Sequence, residues 1–64
     1  MKLIGKNGRA YTLEFEEKEI ELINNALNEV CNGVDIPEFK TRLGQSLESA
    51  QDLLKRMNAL LPLD

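Results

Sequence analysis

A chain of 64 residues, 42% apolar and 30% charged, forms one domain at most, residues 1–64. Its single cysteine excludes an internal disulfide, and the absence of histidine leaves a structural zinc site without its ligands. Eight Lys and Arg against eleven Asp and Glu give a net charge of −3 and a pI of about 4.9, which excludes a global pull toward nucleic acid or an anionic membrane.

The charge is unevenly placed: Lys2, Lys6 and Arg9 make residues 1–13 +3, and five glutamates crowd residues 14–21. The basic opening reads as a β-hairpin over residues 1–15. Lys2-Leu3-Ile4-Gly5-Lys6 and Arg9-Ala10-Tyr11-Thr12-Leu13-Glu14-Phe15 flank Asn7-Gly8, a strong two-residue signal for a type I′ turn. That turn predicts Lys6 opposite Arg9, Gly5 opposite Ala10 and Ile4 opposite Tyr11. Ile4, Tyr11, Leu13 and Phe15 then share one face, expected to be the core side, with Leu3 on the other face beside Thr12. A two-stranded hairpin is marginal in water, so this one is expected to pack on the helices that follow.

Residues 16–32 read as the first helix. Acidic residues suit its N-terminus through the helix dipole, and Ile20, Ile23, Leu27, Val30 and Cys31 recur at spacings of three and four, a stripe that one helix face can bury. Gly33 is expected to end it in the left-handed conformation. Asp35, Pro37 and Glu38 offer an N-cap, a first-turn proline and a residue at N3, the pattern of a capping box. They predict a short helix over 36–43 that turns Phe39 and Leu43 inward and stops at Gly44. Ser46 then caps a third helix over 46–61, with Leu47, Ala50, Leu53, Leu54, Met57, Leu60 and Leu61 at helical period and Pro62 halting it. The fold class is therefore α+β: an N-terminal β-hairpin followed by three α-helices, long, short and long.

Catalysis is poorly supplied. No histidine can act as a base or partner Cys31 as a nucleophile, and the carboxylates fall in helix first turns or on faces predicted to be wet. Cys31 lies on the apolar stripe as a small hydrophobe. The glycines serve the hairpin and the helix ends, not a phosphate loop. No enzyme activity, cofactor or metal is expected. Apolar runs of two or three residues are too short for a signal or membrane-spanning segment, and a lone reduced thiol fits the cytoplasm.

Two surfaces are candidates for binding. Glu21, Asn24, Asn25, Asn28 and Asn32 fall within an arc of about 100° on the first helix. Asparagine is a mediocre helix former, and uncharged amides are cheaper to desolvate than charges, so this stripe is a candidate partner-binding face as well as a solvated one. On the third helix Leu47, Leu54 and Leu61 repeat at seven. They either fill the intramolecular core or form the seam of a homodimer.

The blocks Ala26-Leu27-Asn28-Glu29-Val30-Cys31-Asn32-Gly33 and Glu38-Phe39-Lys40-Thr41-Arg42-Leu43-Gly44, with the later Leu53-Leu54, resemble a family of short, uncharacterised bacterial proteins. That family carries an ALNEV-x-NG block, an EF-x-TR-x-G block and a leucine-rich final helix, and the resemblance spans residues 20–61. It brings no established activity and implies only that Asn28, Glu29, Asn32, Thr41 and Arg42 belong to a recurring pattern, in which Arg42 can reach Glu29 or Glu38 as a structural ion pair. Residues 39–54 also resemble a helix-turn-helix segment, with Gly44 at the turn and Ser46 capping the recognition helix. Lys40 and Gln45 depart from that motif, and Glu48 and Asp52 would face phosphate; Lys55 and Arg56 are the candidate phosphate contacts, unless Arg56 pairs with Asp52. The expected function is a small cytosolic interaction or accessory module that binds an unknown protein partner or itself, the alternative being a winged-helix-like DNA-binding regulator or antitoxin-type protein.

Overall fold

The computed structural model describes residues 1–61. Strands β1 (Lys2–Asn7) and β2 (Ala10–Glu14) form an antiparallel hairpin. Helix α1 (Glu17–Asn28) follows and runs on into a π-helical turn, Glu29–Gly33; then come a short helix α2 (Phe39–Leu43) and a long helix α3 (Leu47–Leu60). The predicted α+β architecture is thus the observed one, a two-stranded hairpin and three helices. Pro62, expected to halt the last helix, lies outside the described residues.

The hairpin loop lies one residue later than the sequence predicts, which shifts the strand register by two. The loop is Gly8-Arg9, not Asn7-Gly8, so Asn7 pairs with Ala10, Lys6 with Tyr11 and Gly5 with Thr12. Gly8 alone has positive φ (62°), which places the glycine at the first loop position, as in a type II′ turn. A type I′ turn centred on Asn7-Gly8 would also have required Asn7 in the left-handed region. Ile4, expected opposite Tyr11, falls instead in a bulge between Leu3 and Gly5, which restores Leu3 opposite Leu13. Because alternate residues share a face, Leu3, Lys6, Tyr11 and Leu13 now lie together. The Lys6 ammonium sits 5.2 Å from the centre of the Tyr11 ring.

That face is not a core face. Leu3 is 57% exposed and Tyr11 60%, Ile4 and Leu13 are exposed with them, and neither strand makes an extended contact with a described helix. The expectation that the hairpin lies on the helices of its own chain is therefore corrected. Phe15, half-buried, joins β2 almost directly to α1, and the Met1 ammonium lies 2.7 Å from the Glu19 carboxylate in the first turn of α1. These hold one end of the hairpin to the helix and leave its apolar face open.

The core is the contact between α1 and α3. Leu54, 7% exposed, is its most buried residue, and Ile20 and Leu27 of α1, Val30 of the π-turn and Ala50 and Met57 of α3 are half-buried with it. Local signals set the helix ends. Glu16 N–H donates to Glu19 Oε1 at 3.0 Å. Ser46 Oγ accepts from Ser49 N–H at 3.1 Å, the side-chain cap the sequence calls for. Gly44, at φ 84°, ends α2 and donates to the Lys40 carbonyl.

Two expected caps are absent. Gly33 does not take the left-handed conformation; it closes the π-turn, in which Val34 N–H reaches the Glu29 carbonyl at 3.1 Å. The exposed Glu29 side chain folds its carboxylate over the open face of Gly33, and a larger residue at 33 would displace it. The Asp35–Glu38 capping box does not form either, because Glu38 itself adopts the left-handed conformation (φ 54°, ψ 47°) and α2 begins only at Phe39. Proline followed by a positive-φ residue is the order of a type II turn, which here displaces the first helical turn.

Size places these observations on one scale. A folded chain of 7.2 kDa exposes about 4,100 Å² when compact; this one exposes 5537 Å². Its Cα radius of gyration, 13.0 Å, exceeds the roughly 10.7 Å expected for 64 residues. The helix pair carries the packing, and the hairpin adds exposed apolar side chains of its own.

Candidate interaction surfaces

The asparagine stripe lies along one flank of α1. Glu21, Asn25, Asn28 and Asn32 are exposed, and Asn24, nearest the helix pair, is half-buried. Asn32 Nδ2 donates to Asn28 Oδ1 at 3.0 Å, so two members of the stripe engage each other. The Asn24 Oδ1 is covered without any donor, an arrangement that costs about 1–3 kcal/mol while it lasts. At the far end Asn32 shares an open depression of about 390 Å³ with Gln51, Lys55 and Asn58 of α3. The stripe is thus a polar margin of the α1–α3 contact.

Of the heptad leucines, Leu54 is buried against α1, Leu61 is half-buried and Leu47 is exposed. The surplus apolar width of α3 sits on Leu53 and Leu60, about 100° round the helix from Leu54 and Leu61, and both are exposed. Leu53 forms one rim of a groove of about 210 Å³ between the end of α1, α2 and α3; Leu27, Val30, Phe39, Leu43 and Ala50 supply the rest of its apolar wall.

Charges supply little chemistry. Arg56 Nη2 holds Asp52 Oδ2 at 2.7 Å, one turn apart on α3, while Lys55 sits beside the depression shared with Asn32. Arg42 forms no ion pair with Glu29 or Glu38; those found among the described residues are Asp52–Arg56 and Met1–Glu19. The N-terminal ammonium bonded to Glu19, helped by the Glu16 backbone N–H, holds that carboxyl below its usual range. Cys31 is half-buried with a free thiol. Among the described residues no three His, Cys, Asp or Glu side chains gather as a metal site, and no helix is long and apolar enough to cross a membrane.

Sequence reasoning thus located the polar stripe and the covered leucines, and missed two surfaces: the open hairpin face and the groove rim at Leu43 and Leu53. Lys6, two positions from Ile4 on the strand face that the sequence predicts to be apolar, is the signal in the first case. In the second it is the angular offset of Leu53 and Leu60 from the heptad line. No family model, curated protein or solved structure matches this chain.

Proposed function

We propose that the chain is a non-enzymatic interaction module of the cytosol, acting by presenting apolar surface to another protein chain. The observation that carries this reading is the surplus of roughly 1,400 Å² over a compact chain of the same mass. Contiguous exposed apolar surface on a small protein marks an interaction site, and here Leu3, Tyr11 and Leu13 share one hairpin face and Leu43 and Leu53 one groove rim, with Leu22 and Leu60 exposed elsewhere on α1 and α3. The asparagine stripe borders the helix pair and serves as a polar margin to such a contact. The DNA-binding alternative draws less support, because Arg56, one of its two candidate phosphate contacts, is held by Asp52.

The test is a photo-crosslinking residue introduced at position 13, with position 48, exposed on α3, as control. The module reading expects a discrete crosslinked product in cells from position 13 and none from position 48. Absence of any product from position 13 would contradict it.

A further inference from the structure

Two uncovered apolar features lie at opposite ends of α1. The hairpin leaves the N-terminal end with Leu3, Tyr11 and Leu13 on its open face, whereas the groove walled by Phe39, Leu43 and Leu53 opens beside Leu27 and Val30 at the C-terminal end. From Glu17 to Leu27 is about 15 Å along the helix. The short join at Phe15 and the Met1–Glu19 ion pair keep the hairpin at its own end. One chain therefore carries a projecting apolar face and an apolar recess that it does not bring together.

We propose that the hairpin of each copy docks over the α2–α3 groove of a second copy, in a reciprocal two-fold dimer. This deepens the reading of the chain as an interaction module and rests on it. Three observations select a second copy. A two-fold axis crossing α1 sets the beginning of one helix beside the end of the other, so a single rotation closes both contacts at once and leaves neither feature open. Charge favours the same pairing: residues 1–13 carry +3, whereas residues 27–53, which build the groove, carry −3, Glu29, Asp35, Glu38, Glu48 and Asp52 against Lys40 and Arg42. A hairpin laid on the partner's helices meets opposite charge. Two hairpins stacked face to face would set +3 against +3 and trap both Lys6 ammonium groups in the contact. Lastly, the surplus of about 1,400 Å² lies within the roughly 1,000–2,500 Å² that each member of a permanent homodimer buries.

The experiment is sedimentation velocity of the full chain from micromolar concentration to about 1 mM, a range that brackets weak and moderate self-association. The wild type should pass from 7.2 kDa to about twice that mass. Leu13→Glu on the hairpin and Leu53→Glu on the groove rim should each weaken dimerisation at least about tenfold. Neither side chain is buried in the single chain, and helical circular dichroism verifies that both variants fold. An equimolar mixture of the two variants should recover a dimer weaker than wild type, because one hairpin–groove contact is intact in the mixed pair. Absence of recovery, or a Leu13→Glu chain that dimerises like wild type, overturns the reciprocal docking. A wild type that stays at 7.2 kDa throughout overturns self-association; if position 13 still crosslinks to another protein, the module reading itself survives.

Discussion

The hairpin and the α1–α3 pair have comparable apolar side chains and opposite fates. Ile20, Leu27, Leu54 and Met57 meet across two helices and build what core there is, while Leu3, Tyr11 and Leu13 share a strand face that nothing in the described chain covers. A hairpin of two strands has only backbone pairing and cross-strand contacts such as Lys6 over Tyr11 to hold it. The contrast teaches that an apolar pattern names the face to be buried and not the surface that buries it.

The largest expected effect separates the two regions directly. Leu54→Ala should cost about 2–4 kcal/mol, a large part of the roughly 3–10 kcal/mol that a domain of this size has in total. In dilute solution Leu13→Ala should leave helical unfolding within about 0.5 kcal/mol, because the side chain is exposed on the open hairpin face. Urea titrations followed at 222 nm measure both, and a Leu13→Ala cost close to that of Leu54→Ala would erase the distinction.

Smaller effects sharpen it within the helical region. Ser46→Ala removes the cap on Ser49 N–H and should cost about 1 kcal/mol. Glu38→Gly relieves a left-handed non-glycine residue and should stabilise by about 1 kcal/mol, read as a higher urea midpoint at unchanged slope. The smallest effect lies at the joint between the regions. Glu19 titrates below its ordinary range when folded, so its contribution is fully present above that range and is lost as pH falls through the lowered value. Glu19→Gln should therefore show a slight loss of stability at neutral pH that vanishes in acid. A loss that persists in acid would mean that Glu19 acts through something other than its charge.

Most of the fold was legible because its signals are local. The Ser46 cap and the Gly44 stop are satisfied within a turn of helix and the structure has both, while the stripe Ile20, Ile23, Leu27, Val30 and Cys31 is half-buried except at Ile23, which is exposed. The departures arise where two local solutions compete. Asn7-Gly8 admitted a type I′ turn, but the chain needs one positive φ and puts Gly8 there, which slides the register and expels Ile4 into the bulge. Gly33 fits a left-handed cap by residue type, yet α1 continues into the π-turn and leaves it at negative φ. Pro37 suits a first helical turn as well as a type II turn, and the positive φ of Glu38 selects the second. Of the candidate surfaces, the stripe on α1 was legible residue by residue. Leu54 was legible as apolar, but whether it faced a second chain or α1 depended on how the helices meet, which no spacing along one helix encodes.

Amide hydrogen exchange across a concentration series tests the central contrast most directly. At the lowest concentration the amides of β1 and β2 should exchange orders of magnitude faster than those around Leu54 in α3, and their protection should rise with concentration as the open face is covered. Hairpin amides as protected as those of α3 at the lowest concentration, and insensitive to it, would contradict the account.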